Sequence, residues 1–344
     1  MTGARMKRAM TEVIVRRGFH AIRRDPKRAL RNLVDLGQET AGGQFQRKFL
    51  GMAQQVLTHE DSLYYTLIQK TIQSVDEERL LTFGMNLGWN GLVQGAKQIR
   101  TEEARRGHNI PWSLTFHIEA GPDSLSAKEY LCLIREGTEL GVYTYFLFPR
   151  DSPSVQFSID LCQSNRGCAF CIMLPPGLEE QRRNELCPNT ILGVDTSGED
   201  WMEQVQWLRD GKYPYLLYRA YSTPEDVEDI ISGRWAERIM PQAGVAALLV
   251  AAGDMAFPKG SPVYEYALDA RLKQRYPTVM LDFYHDNIYA DRCISGAPCF
   301  FGVLPDGIVT EYCLGREKPT IYSVRTQPLE ELFRRFSRSG QFET

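Results

Sequence analysis

The chain has 344 residues, of which 43% are hydrophobic and 24% charged, with a formal net charge of −3 and eight cysteines. This balance excludes a disordered, collagenous or disulfide-stapled miniature protein, and the length allows about two domains or one barrel with extensions. No apolar run approaches the roughly 18 residues of a spanning helix and no secretory leader is evident, so a cytoplasmic location with reduced thiols is expected.

Residues 1–31 carry ten Lys/Arg against Glu12 and Asp25, a net +8 that leaves −11 on the remainder. Met6, Met10, Val13, Ile14 and Ile22 are interleaved with these charges, the pattern of a basic amphipathic helix. Two readings stand: an arm docked on the acidic body, or an arm peripheral to an anionic membrane surface. Aromatic residues are not spaced as stacking platforms, so nucleic acid is not expected as a partner. The whole of 1–106 reads as helical, with Phe45, Phe49, Met52 and Val56, then Leu63, Leu67 and Ile72, recurring along one face. Within it, the Gly- and Asn-rich stretch Phe83–Asn90 is expected to be a turn or a site of close backbone approach.

The periodicity changes at Asn109. Short apolar runs follow at Trp112–Ile118, Tyr143–Phe148, Ala169–Leu174, Thr190–Val194, Tyr215–Tyr218 and Val245–Ala252. Helical patterns lie between or after them, at Ala127–Leu140, Ser154–Arg166, Leu178–Leu186, Asp200–Arg209, Pro224–Gly233 and Val263–Arg275. Ser126 and Thr223 occupy N-cap positions. Six strand–helix alternations imply an α/β fold with a parallel sheet; spacing alone does not choose between a full barrel and a six-stranded arc. Val279–Phe283 is one more strand-like run. Phe300–Leu304 and Ile308–Tyr312, joined by Pro305-Asp306-Gly307, read as a β-hairpin, and Leu329–Phe336 as a closing helix. The expected divisions are a helical region with a basic arm (1–106), a barrel (107–285) and a small hairpin-and-helix extension (286–344).

In a parallel α/β barrel, reactive groups lie at the carboxyl ends of the strands. The sequence places His117 and Glu119 there, two apart and so on one side of a strand. Arg150 and Asp151, then Asp195, Thr196 and Ser197, then Arg219, Asp254, and finally Asp282, His285 and Asp286 follow at later strand ends. A cleft shared by His117, Glu119, Asp195 and Arg219 would supply acid/base or metal-ligand groups. Among the cysteines, Cys132 reads as core. Cys168-Ala-Phe-Cys171 has metal-site spacing but falls on a strand with no second pair, so it reads as packing. Cys293, Cys299 and Cys313 bracket the hairpin and remain the candidate ligands for a metal or iron–sulfur cluster. Walker A, dinucleotide, HExxH and GxSxG motifs are absent from the sequence.

Four strings, taken in order, point to a family: FGMNLGWNGLVQGAKQIR (83–100), LSAKEYLCLIREGTELGVYTYFLF (125–148), DFYHDNIYADRCISG (282–296) and LPDGIVTEYC (304–313). From about Leu33 to Glu331 the chain resembles radical S-adenosylmethionine (radical SAM) proteins with a SPASM- or twitch-like C-terminal extension. That resemblance implies an open (βα)6 partial TIM-like barrel. It also implies a [4Fe–4S] cluster on Cys-X3-Cys-X2-Cys after strand one, and S-adenosylmethionine beside a Gly-Gly-Glu-Pro segment after strand two. The chain departs from the family at both places. Strand one leads into Glu119-Ala120-Gly121-Pro122-Asp123-Ser124, without a cysteine, and strand two into Pro149-Arg150-Asp151-Ser152-Pro153. The expectation is a degenerate member with no cofactor at the barrel, acting as a binding or scaffolding partner of an active radical SAM paralogue or of a peptide or protein substrate. The alternatives are repurposed chemistry through His117, Glu119, Asp195 and Arg219, or an iron–sulfur protein using only Cys293, Cys299 and Cys313.

Overall fold

The computed structural model describes residues 3–40, 43–175, 186–253, 260–295, 297–313 and 315–338. Its first part is helical: α1 (Gly3–Arg24), α2 (Pro26–Thr40), α3 (Gln44–Leu57), α4 (Leu63–Ser74), α5 (Glu77–Met85), a π-helix (Asn86–Gly95) and α6 (Ala96–Arg106). Ile22, Leu30, Leu57, Tyr65 and Ile72 bury against one another as a small core of their own. The turn expected at Phe83–Asn90 is instead the junction of α5 with the π-helix. Its wider turn directs two asparagines outward from the helix. Asn86 Nδ2 donates to the carbonyls of Arg166 (2.7 Å) and Cys168 (2.9 Å), and Asn90 Nδ2 donates to Gly167 (2.8 Å). The close approach expected in the same stretch is not made there, since a Cβ at Gly84 or Gly88 would meet nothing; it falls further along, at Gly95, where a Cβ would meet the Gly141 carbonyl.

From Ser113 the chain alternates strand and helix. The strands are β1 (Ser113–Ile118), β2 (Thr144–Pro149), β3 (Ala169–Leu174), β4 (Thr190–Asp195), β5 (Tyr215–Tyr221), β6 (Ala246–Ala251) and β7 (Val279–Asp282). They pair in parallel, each with the next. Their helices are α7 (Ala127–Leu140), α8 (Ser152–Ser164), α9 (Trp201–Asp210), α10 (Pro224–Ile231), α11 (Arg234–Ile239) and α12 (Pro262–Leu272). Ser126 and Thr223 cap as expected, accepting from the amides of Glu129 (3.4 Å) and Asp226 (3.1 Å). The arc therefore has seven parallel crossover strands rather than six, since β7 lies in register with Ala246–Leu249. Asp254 and nearly all of the expected helix Leu178–Leu186 lie outside the described residues.

The hairpin forms where expected, from β8 (Gly302–Val303) and β9 (Ile308–Cys313). It is not a separate appendage. β8 adds in parallel to the edge of β1, and β10 (Arg316–Ser323), which no periodic pattern marks, adds antiparallel to β9. One curled ten-stranded sheet results, in the order β10-β9-β8-β1-β2-β3-β4-β5-β6-β7. The helix α13 (Phe283–Ile294), also unmarked in the sequence, leads from β7 back toward β1. Its Phe283 ring meets Phe146 and Phe148 edge-on, at 5.0 and 5.4 Å between centroids. Asp291 on α13 accepts from the amides of Trp112 (2.8 Å) and Cys299 (3.2 Å), fastening the start of β1. The 285/286 division falls inside this helix. α14 (Leu329–Arg338) closes the described chain, packing Phe333 and Phe336 on Phe301.

The N-terminal helices sit against the amino ends of the strands. Lys70 of α4 donates to the Ala243 carbonyl ahead of β6 (3.5 Å), and the Asp76 amide donates to Lys212 ahead of β5 (2.9 Å). The carboxyl ends of the strands face away from this layer.

Candidate functional site

At the carboxyl end of β1, His117 Nε2 donates to Glu317 Oε2 of β10 at 2.9 Å. The same oxygen accepts from the Tyr284 hydroxyl at 3.2 Å, and Glu317 Oε1 accepts from Thr310. The His117 ring stacks on Phe148 at 5.3 Å. Burial alone would lower the imidazole pKa, but the charge and hydrogen bond of Glu317 outweigh it and raise it. Burial would likewise raise the Glu317 carboxyl, yet His117, Thr310 and Tyr284 hold it below its ordinary value. Both directions favour a charged pair. Gly302 is what admits it, because a Cβ at that position would land on Glu317 Oε1 and Thr310 Oγ1.

A second group lies beside the first. Asp282, the N-cap of α13, is 1% exposed and accepts from the His285 amide (3.0 Å) and from His285 Nδ1 (2.8 Å). Its other oxygen accepts from the Tyr221 hydroxyl at 3.3 Å. With Nδ1 engaged as donor, His285 presents Nε2 to the Tyr312 hydroxyl, 3.3 Å away. The His285 ring also stacks on Tyr264 at 4.6 Å. Burial, reinforced by the Asp282 charge, pushes the Tyr312 phenol up to about 12. The two groups meet through the Tyr284 and Tyr312 rings, 5.9 Å apart. An Asp–His pair with one fixed tautomer has the form of a general base, but here its Nε2 faces the half-buried, protonated phenol of Tyr312.

The four residues expected to share a cleft do not converge. His117 joins Glu317. Glu119 lies beyond the end of its strand and accepts from Arg150 at 3.0 Å on the open surface. Asp195 accepts from the amide (2.9 Å) and hydroxyl (2.7 Å) of Ser197, a local turn. Arg219 donates to Asp229 (2.5 Å) and Asp226 (2.8 Å) and so straps α10 to the sheet. Burial would raise the Asp226 carboxyl, but bonds from Ser222, Arg219 and Thr223 lower it to about 2. The pleat explains the separation. Asp195 stands opposite Tyr218 in the β4–β5 register, so Arg219, the next residue, points to the other face.

The expected C-terminal ligand group also does not assemble. Among the described residues, no three His, Cys, Asp or Glu side chains are placed to hold a metal ion. Cys293 and Cys299 are buried, whereas Cys313 is half-buried at the end of β9. Burial, and then the Asp291 and Glu103 charges, raise the Cys299 thiol well above its ordinary value. Cys168 and Cys171 are packed in the core, each thiol pushed up to about 12 by burial. Cys132 is half-buried beside Glu136 on α7 rather than in the core.

Of the mouth residues, the sequence pointed to His117, Asp282 and His285 as strand-end groups. Glu317, Tyr221 and Tyr312 went unmarked, since they lie far from these residues in the chain, and Tyr284, between Asp282 and His285, reads as one more aromatic of an apolar run. Asp282 with His285 carried the one local signal, an acid three residues ahead of its amide partner at a helix start.

No protein-family model matches the chain, and no curated protein matches it. Among solved structures, Streptococcus suis SuiB is similar at 10% identity, covering 72% of this chain and 71% of that one, with a TM-score of 0.47. SuiB bound to S-adenosylmethionine gives 8% identity over 72% and 69% of the two chains, with a TM-score of 0.47. SuiB bound to precursor peptide SuiA gives 9% identity over 70% and 69%, with a TM-score of 0.48.

Proposed function

We propose that this chain is a non-catalytic relative of the radical S-adenosylmethionine proteins that works by binding a partner, either a peptide or protein substrate or an active paralogue. The observation that carries this reading is the His117–Glu317–Tyr284 assembly. It ties the carboxyl end of β1, where the resembled family builds its cluster, to β10, the last strand among the described residues.

The donor chemistry points the same way. Residues 119–126 contain carboxylates, hydroxyls and a proline but no thiol, so a [4Fe–4S] cluster does not fit there. After β2, the Asp151 carboxylate is already engaged, accepting from the Ser154 amide at 2.9 Å as the cap of α8. Repurposed acid/base chemistry is the weaker reading, because His117, Glu119, Asp195 and Arg219 are each matched by separate partners. Anaerobic purification and iron–sulfide reconstitution test the proposal. The expected result is substoichiometric iron and no 5′-deoxyadenosine from S-adenosylmethionine under reducing conditions; formation of 5′-deoxyadenosine overturns it.

A further inference from the structure

A helix lying on a globular body ordinarily turns its apolar stripe inward and its charges outward. The first half of α1 does the reverse. No described residue before Gly18 is buried, and this half is held by polar contacts. Arg8 reaches Asn90 of the π-helix (3.4 Å), and Arg16 pairs with Glu77 (3.5 Å) and Glu78 of α5. Glu12, the one carboxylate of α1, is bracketed by Arg8 (3.3 Å) and Arg16 (3.7 Å) on this same inward side. The second half is anchored in the ordinary way, by Ile22 in the small core and by Arg23 on Glu77 (2.8 Å).

The outward stripe is therefore displayed by a fixed helix. It holds Met6, Met10, Val13 and Ile14, which are 53%, 60%, 51% and 39% exposed. Lys7, Arg17 and Arg24 fall on the same stripe at helical spacing, exposed and with no ion pair among the described residues. Arg5, Lys27 and Arg28 flank it, also exposed.

We propose that this face is the docking surface for an anionic lipid bilayer. The methionine, valine and isoleucine side chains enter the headgroup boundary while the surrounding cations meet lipid phosphates and carboxylates. Charge complementarity selects this occupant: six exposed cations, Arg5, Lys7, Arg17, Arg24, Lys27 and Arg28, stand with a single exposed carboxylate, Asp25, so the face repels a second copy of itself. The contact is in-plane, since no described helix is long and apolar enough to cross a membrane.

Co-sedimentation of the full chain with two kinds of vesicle tests the proposal: phosphatidylcholine alone, and phosphatidylcholine with about one-third phosphatidylserine. Binding is expected only to the second, and high salt should release it. Lys7→Glu/Arg17→Glu/Arg24→Glu and, separately, Met6→Ser/Met10→Ser/Val13→Ser should each lower binding at least about tenfold with unchanged circular dichroism. Lys97→Glu/Lys128→Glu, on exposed sites of other helices, should stay within about twofold of the parent protein. Equal binding to both vesicles overturns the proposal, as does binding to neither, or a dimer that the methionine substitutions abolish.

Discussion

Glu317 is 9% exposed at its side chain and takes hydrogen bonds from His117, Tyr284 and Thr310 on its two oxygens. Its worth to the fold depends on pH in a defined direction. The His117 pKa is raised on folding, so its contribution is complete below the unfolded value of about 6.5 and disappears as pH climbs through the folded value. The Glu317 pKa is lowered, so its contribution is present above about 4.3 and disappears as pH falls through the folded value. The stability difference between the parent protein and Glu317→Gln should therefore be greatest between those limits, at about 1–3 kcal/mol, and shrink on either side in urea titrations run across pH. Gly302→Ala should mimic that loss, because the new methyl displaces the carboxylate from His117. An NMR titration of His117 checks it: the raised imidazole pKa should fall in both variants.

The elements show how far local pattern carries. Helices α7 to α10 and α12 follow from apolar spacing and, at two of them, from side-chain caps. The π-helix follows from neither, since its glycines and asparagines read as a turn until Asn86 is seen holding the backbone that precedes β3. Asn86→Ala strips a buried donor from two carbonyls and should cost about 2–3 kcal/mol in chemical unfolding. Arg219 gives the complementary prediction at the strap of α10. Arg219→Ala should destabilise by about 1–3 kcal/mol and speed amide exchange in α10 ahead of the remaining helices. α13 and β10 were hidden for related reasons. The aromatic and charged residues of α13 serve several neighbours at once, and β10 has one exposed side, with Ile321 91% exposed. Neither shows a single apolar face.

At the scale of the whole molecule, the eight cysteines separate by depth. Cys162, Cys168, Cys171, Cys187, Cys293 and Cys299 are buried, while Cys132 and Cys313 are half-buried. Iodoacetamide should therefore modify the latter two in the native protein and the other six only after unfolding, as read by mass spectrometry. The chain's two extremities meet the barrel differently. The C-terminal strands extend the sheet and reach the strand ends through Glu317 and Tyr312, whereas α1 stays outside, clamped by ion pairs to Glu77 and Glu78. By itself the sequence determined the helical first part, the succession of parallel strands, the hairpin, the uneven charge and the missing thiols after β1. These are set by residues near one another in the chain, where periodicity, caps and composition act directly. Only the tertiary structure decided that β8 joins the edge of β1 and that Glu317 meets His117 across two hundred residues of chain. It alone decided that Arg219 and Asp195 stand on opposite faces of the sheet, because pairing register and side-chain direction are fixed only when distant strands come together.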